Sequence, residues 1–432
     1  MKKTNFIYAL AAGTMLLGSC SSSDDVNNGA ENNDAAQTIV LQVANAGDGL
    51  TTRAGRDLYA SNADQTIENV KVVIKERATG AIVYTKEYTD WTKTDSKEYN
   101  EGRQVTITLK GEDKLKGGNE YTVTAVGYSN ETAYKFTPKM TDLTTEKSLK
   151  DAITASTTAD AEEVFAGAKD VIVKADGSFD TAEETDKTGV TVTLHRQVAG
   201  SLGYFMNIPA KVDGVEARYL RLVASSRNTT LTFNNFNSNF TTKDNLVQYI
   251  VNGSSPAAKN AKFYGSTVEN GNLVYQIDLK DWFPEGDHDG NNILNKEDLW
   301  QHPTDVATSV VQGSVLAGKF VIPFAYTTGV NTMELQLTDA AGNILKYWTV
   351  NIDEKEKATG KTDPEVNDES TSVFNVVRNH MYTLGEKDEN NPGKEDPDVP
   401  GPGDQPEDLS KGQNLILKVN DQWEAIHKLI LD

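Results

Sequence analysis

Asn414-Leu415-Ile416-Leu417-Lys418-Val419-Asn420-Asp421-Gln422-Trp423-Glu424-Ala425-Ile426-His427-Lys428-Leu429-Ile430-Leu431-Asp432 is the stretch on which the fold turns. Leu415, Leu417 and Val419 alternate with Ile416, Lys418 and Asn420, the period of a β-strand. A second apolar run, 426–431, carries Ile426, Leu429 and Leu431. Residues 385–412, just upstream, are acidic and hold Pro392, Pro397, Pro400, Pro402 and Pro406. In extended form such a tether reaches up to about 80 Å at ~3.1 Å per residue. A β-prone strand on so long a leash need not pair within its own molecule. It is expected to serve as a donor strand, with a return to its own domain as the simpler alternative.

Outward from the tail, the chain keeps one style. Of 432 residues, 38% are hydrophobic and 24% charged, enough for two domains with their own cores. Strands are expected at 38–44, 69–76, 81–88, 104–109, 120–128, 170–174 and 189–200. Further ones fall at 201–208, 217–224, 229–234, 271–279, 319–326, 331–338, 343–352 and 371–384. Turn signals such as Thr79-Gly80 and Gly117-Gly118 separate them. Two short helices are expected, at 144–154 and 242–251. Short strands without regular helical spacers indicate an all-β chain of antiparallel β-sandwiches. The acidic stretch 181–187 reads as the junction, giving an N-terminal domain at 57–187 and a C-terminal domain at 188–384.

The front of the chain has its own logic. Lys2 and Lys3, an apolar core and Leu17-Gly18-Ser19-Cys20 read as a signal peptide, 1–19, ending in a lipobox-like site. Cys20, the single cysteine, is then the lipidated residue, and no intrachain disulfide is possible. Residues 20–56 read as a propeptide. Within it 38–44 alternate Ile39, Leu41 and Val43 on one face, and a small-residue loop with Arg53 and Arg56 follows. Loops of that composition are preferred sites of proteolysis, although a plain turn linker explains it equally.

Charge and motifs exclude several classes. A net charge of −21 opposes nucleic-acid binding. No P-loop, dinucleotide fingerprint or nucleophile elbow occurs, and none of His195, His288, His302, His380 and His427 stands at zinc-ligand spacing. No enzyme activity and no cofactor are expected. Asp287, Asp289, Asn291 and Asp298 echo a calcium loop, but Gly falls at position four and Asp closes the loop. A polar turn followed by a helix capped by Asn295, with Asp298 reaching back, is the preferred reading.

Several landmarks together resemble the type V pilins, or fimbrillins, of Bacteroidales. They are the lipobox, Glu162 to Gly167 (E-E-V-F-A-G), Leu194 to Gly200 (L-H-R-Q-V-A-G), Val376 to Tyr382 (V-V-R-N-H-M-Y), the acidic Pro/Gly segment and the terminal strand with Trp423. Ser21-Ser22-Ser23-Asp24-Asp25 also resembles an acidic surface-export tag. The likeness is to the shaft subunits of that family. It implies two tandem transthyretin-like sandwiches and a lipoprotein precursor at the outer membrane. It implies an arginine-specific surface protease cutting after Arg53 or Arg56, and loss of the strand at 38–44. A donor strand within 413–432 of another copy, using Leu415, Leu417, Val419, Ile426, Leu429 and Leu431, then fills the gap. The implied partners are further copies and the anchor and tip subunits of a fimbria. A monomeric surface lipoprotein binding glycan or protein is the alternative, and a tip or anchor subunit a second.

Overall fold

The computed structural model describes residues 37–44, 68–91, 97–99, 102–128, 152–154, 161, 164–180, 190–225, 227–232, 253–256, 273–304, 310–326, 330–354, 370–385, 405–411 and 414–420. In chain order the strands begin with β1 (Gln37–Ala44), β2 (Asn69–Glu76), β3 (Ile82–Tyr88), β4 (Lys97–Tyr99), β5 (Gly102–Leu109) and β6 (Glu120–Tyr128). Next come β7 (Ala152–Thr154), β8 (Phe165–Ile172), β9 (Val190–Arg196), β10 (Ala199–Met206), β11 (Ile208–Pro209), β12 (Lys211–Val212) and β13 (Val215–Glu216). They continue with β14 (Tyr219–Ala224), β15 (Asn228–Thr232), β16 (Gly253–Pro256), β17 (Leu273–Asp278), the short helix α1 (Leu279–Trp282) and β18 (Ile293–Leu294). The last are β19 (Ser314–Val321), β20 (Met333–Thr338), β21 (Ile344–Ile352), β22 (Met381–Leu384), β23 (Glu407–Asp408) and β24 (Asn414–Asn420).

The alternation read from the sequence sets the faces. Val70, Val72 and Ile74 of β2 all point into the first core, as do Val190, Val192 and Leu194 of β9. Between β2 and β3 the chain turns on Gly80, whose φ of +74° sits in the left-handed region that glycine tolerates. Two sheets dominate. One runs β3-β2-β6-β8-β9-β1-β5-β4, the other β17-β14-β20-β21-β24-β22-β10-β19 with β23 beside β10.

The two sheets repeat one pairing scheme. β1 pairs antiparallel with β5 and parallel with β9; β10 pairs antiparallel with β19 and parallel with β22. The series β3-β2-β6-β8 has its counterpart in β17-β14-β20-β21, antiparallel throughout. The first strand of each half is thus a sheet-interior strand held on both sides. The halves differ where β24 stands: it inserts between β21 and β22, whereas β8 and β9 adjoin directly.

Two expectations are corrected here, and a third is untested. Residues 152–154, read as the end of a helix, form β7 and pair with β15; Ile153 and Thr154 are β-branched and suit a strand. The changeover between halves falls at Gln197 and Val198 rather than at 187. The acidic stretch links β8 to β9, which belong to one sheet, so it marks a connection inside the first half. The helix expected at 242–251 lies outside the described residues.

On β20 the positions facing away from Met333, Leu335 and Leu337 are also buried: Glu334, Gln336 and Thr338. Arg221 Nε donates to Gln336 Oε1 at 3.1 Å. Burial raises the Glu334 carboxyl to about 7, and the Gln336 hydrogen bond and the nearby Arg221 charge offset only part of that rise. The folded chain therefore keeps a proton that the unfolded chain sheds at lower pH. The stability from this proton is complete below the ordinary glutamate range and is lost as pH rises through about 7. A thermal unfolding series will show this fall, and Glu334→Gln will remove that component of it.

Candidate assembly site

The first component is β1. Ile39 and Leu41 are 0% exposed and lie in the first core. Val43 stands opposite Arg103 on one side and Leu194 on the other; its side chain lies outside the described residues. The strand is further clamped by Gln37, buried at its front. Gln37 Nε2 donates to the Leu115 carbonyl at 2.9 Å and the Gly177 carbonyl at 2.7 Å, while its Oε1 accepts from Leu115 N at 2.7 Å. Nothing in the sequence singles out Gln37, because a polar residue ahead of an alternating run looks like a solvent position. Gln37→Ala strands buried backbone groups at Leu115 and Gly177 and is expected to cost about 2–3 kcal/mol. A lower midpoint in thermal unfolding, with faster proteolysis within β1, will register it.

Taking β1 away would leave β5 and β9 facing each other across two inter-strand spacings, about 10 Å. Both would present a row of backbone donors and acceptors above an apolar slot, a surface that invites another strand. Cys20, Arg53 and Arg56 lie outside the described residues.

The second component is the tail. Leu415 and Leu417 are buried in the second core, and Ile416 faces outward at 42% exposed. β24 pairs parallel with β21 from Thr349↔Asn414 to Ile352↔Leu417, and antiparallel with β22 from Leu384↔Leu417 to Met381↔Asn420. Val419 stands opposite Tyr382. The simpler alternative therefore holds for this run: 414–420 complete their own core, and the expectation of a free donor there is corrected. Ile426, Leu429 and Leu431 lie outside the described residues.

The tether is corrected as well. Its last part folds onto β10: β23 pairs parallel with Phe205 and Met206, Leu409 N donates to the Met206 carbonyl at 3.0 Å, and Leu409 is buried in the second core. Asp408 fastens the following turn, accepting from Ser410 N at 3.1 Å and meeting Lys411 Nζ at 2.9 Å. These contacts lower its pKa to about 2, against the burial that would raise it. At the other end, a Cβ on Gly385 would lie 3.2 Å from the Gln405 carbonyl oxygen and 3.1 Å from that of Tyr204. The chain thus leaves at Gly385 and returns at Gln405 alongside the same strand. Gly385 and Gln405 are thus adjacent, so the number of residues between them gives β24 no reach.

Three of the landmark stretches converge on one buried seam between the cores. Gln197 N donates to the Val164 carbonyl at 2.8 Å, and Gln197 Nε2 to that of Ala166 at 3.2 Å. Arg378 donates to Gln197 Oε1 at 2.9 Å, and Arg196 to Asn379 Oδ1 at 3.4 Å while lying over the Phe165 ring. Asn379 N donates to the Val198 carbonyl, and Gly200 N to that of His380. Each stretch offers polar side chains in a strand-like setting; only the fold shows that they meet.

The carboxylates of Asp287, Asp289 and Asp298 bring ligand-type oxygens within 4.8 Å of one another. Asp298 accepts from His288 N at 2.7 Å and, reaching back, from Asn295 N at 2.9 Å. Asp287 accepts from Asn292 N at 3.1 Å, and Asn291 Oδ1 from Ile293 N at 2.7 Å. These oxygens organise a polar loop. The helix expected after Asn295 is instead a single turn.

No protein-family profile and no curated protein matches the chain. Among solved structures it is similar to a fimbrial assembly protein from Parabacteroides distasonis, with 14% identity over 82% of this chain and 91% of that one and a TM-score of 0.36. Two proteins from Porphyromonas gingivalis are also similar. They are the tip fimbrial protein Mfa3, at 10% identity over 81% and 94% with a TM-score of 0.35, and the fimbrial anchor protein Mfa2, at 9% over 89% and 98% with a TM-score of 0.34. The structural neighbours are thus fimbrial and adhesion proteins of Bacteroidales. At these identities and scores the likeness names neighbours and assigns no role.

Proposed function

We propose that this chain is a structural shaft subunit of a cell-surface fimbria, not an enzyme, and that copies join by strand exchange. The observation that supports it is the position of β1. Its counterpart β10 is covalently continued at both ends inside the fold, through Val198 and Asn207. β1 instead is the first of the described strands, and its covalent connection to the rest of its sheet runs through residues 45–67, which contain Arg53 and Arg56. One cut there leaves the interior strand of the first half held by hydrogen bonds and packing alone.

On this reading the precursor is lipidated at Cys20 and held at the outer membrane. An arginine-specific protease cuts after Arg53 or Arg56, and β1 departs. Because β24 fills its own core, the exchanged strand is the second run, with Ile426, Leu429 and Leu431 from another copy entering the slot between β5 and β9. Backbone pairing across the slot gives affinity and the alternate side chains give register. Such a head-to-tail contact does not close on itself and builds a filament of two transthyretin-like sandwiches per subunit, ending in tip and anchor subunits. The net charge of −21 keeps intact precursors apart until the slot opens.

Treating the full chain with a trypsin-like protease tests this. A new N-terminus after Arg53 or Arg56 followed by an SDS-resistant ladder supports exchange; a single trimmed band sinks it. One observation favours the glycan-binding alternative: a polar cavity of about 430 Å³ lined by Gln276, Asp278, Asp281, Gln301 and His302. Trp282 also lines it but is only 3% exposed, too little to stack a sugar ring, so the assembly reading stands first.

A further inference from the structure

Among the described residues, the repeated pairing scheme leaves one position filled in the second half and passed over in the first. β24 stands between β21 and β22, parallel to one and antiparallel to the other. Their counterparts β8 and β9 pair at Phe165↔Arg196 and Ala166↔His195 and then part. On the same edge of β8, Val173 bridges Phe179 and Asp180 N donates to the Ile172 carbonyl. The corner between β8 and β9 is thus closed at its far end and bounded by residues 167–171 and 190–194.

The chain itself delivers a candidate occupant to the mouth of that corner. β24 ends at Asn420 opposite Met381, which in turn pairs with Gly200. Both residues lie at the seam, where β9 ends against Phe165. A segment leaving Asn420 and running into the corner from the seam is parallel to β8 and antiparallel to β9. That is the polarity β24 adopts in the second half. Residues 421–425 span up to about 17 Å. The run Ile426-His427-Lys428-Leu429-Ile430-Leu431 is long enough to match 167–171 at about 3.3 Å per residue.

We infer that residues 426–431 dock in cis as an added strand in the corner between β8 and β9 of the uncleaved chain. Docking keeps the second apolar run away from other copies until the slot left by β1 is available; that consequence, unlike the docking, rests on the assembly reading.

Cross-linking of uncleaved monomer tests it. Full-length chain with Cys20→Ser and Lys169→Cys is combined with one cysteine at each position from 426 to 431 in turn and oxidised mildly. The expected result is an intramolecular disulfide at one position or at two positions of alternate spacing, in equal yield after tenfold dilution, since paired strands bring Cα atoms within disulfide range. No cross-link at any position overturns the inference. So does a cross-link between chains that fades on dilution, which would assign the corner to a second copy. In parallel, removing 421–432 is expected to speed amide exchange at 167–171 and 190–194 at least about tenfold, and unchanged exchange counts against docking. Neither measurement needs polymer, so its failure leaves strand exchange untouched, and absent ladders leave the docking untouched.

Discussion

Removing residues 414–432 will unfold the second half of the chain, whereas removing only 421–432 will leave its melting close to that of the full chain. The difference comes from β24. Leu415 and Leu417 are buried in the second core, and the strand is paired on both sides. Each buried leucine lost costs on the order of 2–5 kcal/mol, and the edges of β21 and β22 lose their ladder partners as well. Against a total stability of about 5–15 kcal/mol this loss is decisive. Calorimetry of the two truncations provides the check. Equal melting of both would mean that β24 is dispensable to its own core. The result also governs how the proposed assembly is assayed: a chain lacking 414–432 would lack a folded second half and give no ladder whether or not strands exchange, so the shorter truncation is the informative one.

Leu41→Asp is expected to prevent the first half from folding in the uncleaved chain. Leu41 is 0% exposed in the middle of a strand flanked by β5 and β9. The substitution removes the packed side chain and puts a carboxylate in its place, a combined loss of more than about 4 kcal/mol. Thr38→Ala, on the half-buried face of the same strand, should fall within about 0.5 kcal/mol. Soluble yield and limited proteolysis of the first half separate the two variants. A stable, protease-resistant Leu41→Asp chain would show that β1 is not an integral member of its sheet.

The alternating runs at β1, β2, β20 and β24 made the fold class legible, because a period of two is set by backbone geometry and survives any choice of partner. That same indifference is why the tail was misjudged. Alternation says which side chains share a face and not which edge, or which molecule, the strand will pair with. The tether misled for a related reason. Leu409 is one apolar residue in a Pro/Gly/acidic stretch, yet Met206 and Asp408 hold it in the core. The acidic run at 181–187 marked a connection, and composition does not distinguish a loop within a sheet from a link between cores. The Gln37 clamp and the Arg196, Gln197 and Arg378 seam rest on contacts between residues far apart in sequence, which no local pattern encodes.

The closure of Gly385 against Gln405 makes the span between them a natural place to carry foreign sequence. Both flanking ends sit on β10 and are already adjacent, so an epitope or affinity tag placed between them changes mainly a closure entropy that grows only slowly with length. A tagged chain of that kind would keep both cores and bear a label for microscopy.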